Sequence, residues 1–125
     1  MPGPQTACIR DGKLATAISG MVVQALREHT GRGPTRSRTY FNDDLICVVL
    51  QDTRSRPEQK LIADGKGDLV LTTDEAFKAI MEAELVAGVE ALTGRRVIAF
   101  LCGNSLEPDV KVNSFLLAPE AEAGA

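Results

Sequence analysis

Aromatic residues are scarce in this chain of 125 residues, and long apolar runs are missing. Phe, Tyr and Trp make up 4% of the sequence and Trp is absent, so a core must be built from aliphatic side chains. No run approaches the roughly 20 apolar residues of a membrane-spanning helix, which argues against direct membrane insertion. Residues 1–12 lack the apolar segment of a secretory signal peptide. These absences predict a cytoplasmic protein.

Groups that carry catalysis or bind metals are equally few. Cys8, Cys47 and Cys102 show no CxxC spacing, so they predict neither a disulfide framework nor a zinc site and favour a reducing compartment. The single histidine, His29, lies in the last turn of a predicted helix, where it interacts favourably with the helix dipole and needs no further role. No nucleophile signature such as GxSxG occurs. The sequence therefore predicts no catalytic residues, no metal site and no cofactor, and hence no enzyme.

One local basic cluster contrasts with the overall net charge of −3. An acidic balance argues against a dedicated nucleic-acid-binding protein. Within residues 27–38, however, arginines outnumber carboxylates four to one. The candidate ligand-binding residues are Arg32, Arg36, Arg38 and Tyr40, which could bind phosphate groups or stack a base. Alternatively, arginines on an edge strand only prevent edge-to-edge aggregation.

Hydrophobic periodicity and turn residues predict one α+β domain over residues 11–118, between flexible tails at residues 1–10 and 119–125. The predicted element order is αββ-α-αββ. The helices are expected at 11–30, at 57–64 and from 68 or 72 up to Gly94, and the strands at 35–42, 44–51, 96–102 and 109–117.

The composition of the strand faces predicts a two-layer arrangement. Strands 44–51 and 96–102 are apolar on both faces, which is typical of central strands, whereas strands 35–42 and 109–117 are expected at the edges. Two hairpins joined through the apolar strands give a four-stranded antiparallel sheet with the helices on one face. The second face would expose an apolar patch, and its simplest cover is another copy of the chain. The sequence therefore predicts a homodimer through the sheet face.

The two halves of the chain resemble each other at an offset of 63 positions. Thr30-Gly31-Arg32 matches Thr93-Gly94-Arg95, and each motif follows an amphipathic helix and precedes two strands. Two interpretations are open: a true pseudo-two-fold repeat, or the similarity that any two amphipathic helices ending in glycine share.

Several motifs are similar to those of a known bacterial family. They are Gly31-Arg32-Gly33-Pro34, the run from Val89 to Phe100, Pro108-Asp109 and Phe115-Leu116-Leu117. Across roughly residues 11–117 the chain resembles the MpsC-like family, named for the third component of a sodium-translocating membrane-potential-generating system. The resemblance implies an accessory or regulatory protein linked to membrane ion or inorganic-carbon transport, with a membrane protein as partner. It implies no chemistry for individual residues.

Overall fold

The computed structural model of this chain describes residues 3–119, with side chains from residue 12 onward. Three helices and four strands follow one another in the predicted order, and the α+β fold class is confirmed. The elements are α1 (Gly3–Thr30), β1 (Arg36–Asn42), β2 (Leu45–Gln51), α2 (Arg56–Ala63), α3 (Gly67–Thr93), β3 (Val97–Ser105) and β4 (Val110–Leu117).

Helix α1 begins earlier than predicted, at Gly3 rather than at residue 11. Pro4 is compatible with this start because proline in the first turn of a helix sacrifices no intrahelical hydrogen bond. The N-terminal tail predicted at residues 1–10 overlaps this helix, and its first two residues lie outside the described part. The C-terminal tail predicted at 119–125 also lies outside it, apart from Pro119. Helix α3 begins at Gly67, near the earlier of its two predicted starts.

Both long helices end in the same Thr-Gly-Arg cap. Gly31 and Gly94 adopt positive φ angles of 79° and 70°, which the absence of Cβ permits. The amide of Gly31 donates to the carbonyl of Arg27 over 2.9 Å, and the amide of Gly94 donates to that of Glu90 over 2.8 Å. The preceding threonine hydroxyls each donate to the carbonyl four residues earlier. The repeated sequence motif therefore forms one repeated local structure.

The order of strands in the sheet differs from the prediction. The observed order is β1-β2-β4-β3, so β4 is central and β3 lies at an edge. The prediction was wrong because it took apolar side chains on both faces as the sign of a central strand. In β3 some of those apolar side chains are exposed: Ile98 is 47% and Leu101 is 60% exposed. Strand β1 lies at an edge, as predicted.

The observed strand order supports a true pseudo-two-fold repeat. Exchanging the halves converts β1 into β3 and β2 into β4, which leaves the order β1-β2-β4-β3 unchanged. Val112 lies 63 positions after Val49, and these two residues pair directly across the antiparallel β2–β4 ladder. A pseudo-two-fold axis at this pair therefore relates the halves with the same offset that the sequence shows.

The core lies between the sheet and the two long helices. In β2 the residues that face the helices, Ile46, Val48 and Leu50, have no exposed surface, whereas the alternate residues are only partly buried. Phe115 of β4 is also fully buried and packs on Phe100, with ring centroids 5.0 Å apart. The helices contribute Ile18, Val22, Ala25, Leu26, Met81, Leu85 and Val89 to the same core. The helices thus cover one face of the sheet, as predicted.

The other face of the sheet, called the open face below, carries none of the helices found between residues 3 and 119. The strand register assigns to it alternate residues of all four strands, Tyr40 and Leu101 among them. Tyr40 is 50% and Leu116 is 37% exposed. The open face comprises Arg36, Arg38, Tyr40, Asn42, Leu45, Cys47, Val49, Gln51, Ala99, Leu101, Gly103, Ser105, Val110, Val112, Ser114 and Leu116.

Candidate functional site

A cavity of about 230 Å3 lies between the sheet and the helices and is partly open to solvent. Its apolar wall includes Phe77 and Met81 of α3 and Phe100 of β3. Its polar wall includes Arg54, Asp74, Lys111 and Asn113, whose side chains come from the loop before α2, from α3 and from β4. The cavity thus combines an apolar interior with a small set of polar groups, as ligand-binding sites generally do.

The strongest polar contact in this wall joins Arg54 to Asp74. Two nitrogens of the guanidinium donate to the two carboxylate oxygens, each over 2.8 Å, and both side chains are almost fully buried. Burial alone would lower the pKa of Arg54, but the hydrogen bonds and the charge of Asp74 outweigh burial and raise it. Arg54 therefore stays cationic at any physiological pH.

The loop that carries Arg54 is held at both of its ends. The carboxylate of Asp109 accepts hydrogen bonds from the Thr53 hydroxyl over 3.0 Å and from the backbone amide of Arg54 over 2.8 Å. Glu58 forms a capping box with Ser55 at the start of α2, and its other oxygen accepts from Arg54 over 3.2 Å. Arg54 is consequently fixed before any ligand enters the cavity.

Lys111 and Asn113 extend the polar wall along β4. The ammonium of Lys111 donates to the side-chain oxygen of Asn104 over 2.5 Å and lies 3.7 Å from a carboxylate oxygen of Asp74. Asn113 is 4% exposed. No hydrogen bond joins its side-chain amide to any other described residue, so this amide keeps its capacity to bind.

Cys102 of β3 lies beside this wall and pairs with Asn113 across the ladder. Burial raises the pKa of its thiol, while the nearby ammonium groups of Lys111 and Lys78 act in the opposite direction. A thiol with a raised pKa is a poor nucleophile at neutral pH, so Cys102 is suited to lining the cavity rather than to covalent catalysis.

The structure brings three of the four predicted ligand-binding residues together. Arg36, Arg38 and Tyr40 are exposed and lie along one side of the edge strand β1, opposite Gln51, Val49 and Cys47. Arg32 is placed elsewhere. It follows α1 and lines the cavity on the helix side of the sheet, so it does not extend the row that the other three form on the open face.

The single histidine contacts the other long helix. His29 lies in the last turn of α1, as predicted, and its Nε2 is 3.0 Å from a carboxylate oxygen of Glu84 in α3. Among the side chains of residues 12–119, no three His, Cys, Asp or Glu are grouped as a metal site would need.

Sequence reasoning missed the cavity and its polar wall. A signal was present in β4, because Lys111 and Asn113 share the strand face of Phe115 and Leu117, which points into the core. Two polar residues on a core-facing side indicate either an edge strand or a polar site, and the prediction chose the edge. Arg54 lies in a polar loop where nothing in the local pattern indicates burial.

A comparison with models of protein families shows to which family the chain belongs. The family model for the Na+-translocating membrane potential-generating system (MpsC) matches residues 10–119. The chain belongs to the MpsC family. No curated protein and no solved structure shows a significant match to it. The MpsC match spans both halves of the repeat, from within α1 to beyond the end of β4.

The helices were also compared with the requirements of a membrane span. Among the helices between residues 3 and 119, none is both long enough and apolar enough to cross a bilayer.

Proposed function

We propose that this member of the MpsC family is a cytoplasmic, non-enzymatic accessory or regulatory subunit of a membrane ion or inorganic-carbon transport system. In this proposal it acts through protein contacts and works as a homodimer. The observation that carries the proposal is the open face, an apolar sheet surface without a covering layer. The family description supplies the link to a sodium-translocating membrane system.

A second copy of the chain is the favoured cover for the open face. The centre of the face is apolar, with Val49 and Val112 at the pseudo-two-fold axis and Leu101 and Leu116 farther out. None of the strand residues assigned to this face is a carboxylate, so their only charges that would repel an identical surface are the arginines at the β1 edge. Two twisted sheets pack well face to face when their inner surfaces are apolar.

The oligomeric state tests this dimer directly. Leu101 on the open face and Ile80 on α3 are both 60% exposed, so they form a matched pair. We expect the natural chain and Ile80→Asp to be dimers at micromolar concentration in analytical ultracentrifugation, and Leu101→Asp to be a folded monomer. A monomeric natural chain, or identical behaviour of the two variants, would contradict the dimer.

The membrane partner requires a second experiment. We expect the natural chain and Ile80→Asp, crosslinked in cells of the native host, to recover a sodium- or inorganic-carbon-transporting membrane protein by mass spectrometry. Leu101→Asp should recover less of it. If the natural chain recovers no such membrane protein, the accessory role is contradicted. The result on the dimer, which is measured separately by ultracentrifugation, is not affected.

A second candidate function rests on Arg36, Arg38 and Tyr40. Their side chains share one exposed side of β1, and neither arginine has an ion-pair partner among the described residues. Such a row could bind single-stranded nucleic acid or a phosphorylated ligand, with Tyr40 stacking on a base. Affinity for a fluorescent oligonucleotide should then fall steeply with salt. Arg36→Ala/Arg38→Ala should abolish binding, whereas Lys13→Ala/Lys60→Ala, with the same change in charge, should not; equal affinities would exclude this function.

A further inference from the structure

The pseudo-two-fold repeat shows which polar residues of the cavity are not required for packing. Lys111 and Asn113 lie 63 positions after Val48 and Leu50, and all four side chains face the helices. Val48 and Leu50 are fully buried, so the fold accepts aliphatic side chains at these positions. The second half instead has an ammonium and an amide at the equivalent places. Packing alone therefore does not explain them.

Asn113 has unused hydrogen-bonding capacity. Its side chain is more than nine-tenths buried, lines the cavity, and has no hydrogen-bond partner among the described residues. The cavity leaves its amide atoms accessible, so a polar group can reach them and bind there. The amide therefore indicates a polar group of an occupant at this end of the cavity.

Lys111 supplies charge at the same place. Its ammonium forms an ion pair with Asp74 at 3.7 Å, too far for a hydrogen bond, and that carboxylate also accepts two hydrogen bonds from Arg54. One ammonium proton is used by Asn104, which leaves further donors available. Lys78 also lines the cavity and has no ion-pair partner among the described residues. The unused donors are thus two ammonium groups and an amide, and they favour an anion.

The rest of the cavity favours a compact apolar body. Phe77, Met81, Leu85 and Phe100 form its apolar wall. A volume of about 230 Å3 is below the range of about 300–1,000 Å3 for drug-sized ligands. It exceeds the roughly 150 Å3 cavity that accepts benzene. The size thus fits one ring or a short chain with a polar end.

We propose that this cavity binds a small monocarboxylate with an apolar body, of the size of benzoate or hexanoate. Its carboxylate accepts hydrogen bonds from Lys111 and Asn113, with Lys78 at the rim, and its apolar part packs on Phe77, Met81 and Phe100. This site is separate from the open face and does not depend on the dimer proposed above.

Titration of the full chain with four probes tests the site. We expect benzoate and hexanoate to bind saturably and to shift amide resonances of α3, β3 and β4 in nitrogen-15 correlation spectra. Acetate has the charge without the body, and benzyl alcohol has the body without the charge. Both should bind at least about tenfold more weakly, since each lacks half of the contacts. If benzoate does not bind saturably, or if benzyl alcohol binds as tightly as benzoate, the proposal is overturned.

Asn113→Leu separates binding from folding, because it installs the residue found at the equivalent position 50. It should keep or raise thermal stability and weaken benzoate binding about tenfold or more, through the loss of a charge-assisted hydrogen bond. Ser114→Ala is the control, since residue 114 is adjacent on β4 but lies on the open face. Unchanged affinity in Asn113→Leu would refute the assigned contact.

Alkylation of Cys102 gives a second readout that needs no variant in the site. Because Cys102 lines the cavity, bound benzoate should slow its reaction with iodoacetamide, and the slowing should saturate at the dissociation constant measured by titration. Equal alkylation rates with and without saturating benzoate would contradict occupation of the cavity.

Discussion

The guanidinium of Arg54 and the carboxylate of Asp74 form two parallel hydrogen bonds of 2.8 Å in a nearly dry environment. Arg54 belongs to the loop after β2 and Asp74 to α3, so the pair ties α3 to the connection between the two halves. Planar two-point pairing is a geometry that arginine makes and lysine cannot. The contact thereby fixes the position of α3 over β3 and β4 and, with it, one wall of the cavity.

Loss of this pair should be far more costly than loss of a surface pair. Asp74→Ala leaves the charge of Arg54 buried with only the weaker contacts to Glu58 and Asp109, so we expect the free energy of unfolding to fall by about 3–5 kcal/mol. Lys66→Ala removes an exposed pair with Asp64 and should cost at most about 0.5 kcal/mol. Urea denaturation measures both values, and similar small losses would mean that Arg54–Asp74 does not stabilise the fold.

The strand order illustrates how far local patterns determine this fold. The element order, the helix caps and the edge position of β1 follow from periodicity, glycine and turn residues, which act locally. Which strand pairs with β2 depends on long-range contacts, because β3 and β4 both carry apolar side chains and local patterns do not distinguish them. The repeat contained the missing information, because equivalent strands must take equivalent positions about the axis at Val49 and Val112. Since β1 is an edge strand, its counterpart β3 must be one too.

The two candidate sites also differ in how far local sequence patterns predict them. The row Arg36, Arg38 and Tyr40 was predictable because alternation along one strand fixes which side chains share a face. The cavity wall was not, because Arg54, Asp74 and Lys111 come from three separate elements and meet only when the halves pack. Their polar side chains are typical of exposed positions, and only the tertiary contacts bury them.

Neighbouring residues of β4 on opposite faces should differ sharply in their effect on stability. Phe115 is fully buried against Phe100, so Phe115→Ala should lower the free energy of unfolding by about 3–5 kcal/mol. Leu116 lies on the open face and is 37% exposed, so Leu116→Ala should cost about 1 kcal/mol or less within one chain. Both are measured by chemical denaturation in the Leu101→Asp background, which we expect to be monomeric. Equal costs would contradict the assignment of faces.

Two glycines in helical segments should respond in opposite directions to alanine. Gly94 has a φ of 70°, so Gly94→Ala strains the cap of α3 and should destabilise by about 1 kcal/mol. Gly20 lies inside α1, and an added Cβ there meets no atom within 4 Å. Gly20→Ala should therefore stabilise by about 0.5–1 kcal/mol. Thermal unfolding of both variants checks the signs, and a stabilising Gly94→Ala would refute the cap.

The alkylation rate of Cys102 should depend on pH in a way that reports its burial. Because burial raises the pKa of the folded thiol, the rate–pH profile should have its midpoint at higher pH in the folded chain than in urea. Steric protection lowers the rate at every pH but leaves the midpoint unchanged, so the midpoint isolates the electrostatic effect. The measurement uses iodoacetamide and a chain with Cys8→Ser and Cys47→Ser.

The same shift makes Cys102 contribute to stability in a defined pH window. The contribution is complete below the ordinary pKa of an unfolded thiol and is lost as pH rises through the higher folded value. The alkaline loss of stability should therefore be smaller in Cys102→Ala than in the natural chain.

Lys111→Met removes a positive charge that favours the thiolate, so it should move the alkylation midpoint still higher. An unchanged midpoint in Lys111→Met would show that the ammonium lies too far from the sulfur to act on it, and would remove Lys111 from this wall of the cavity.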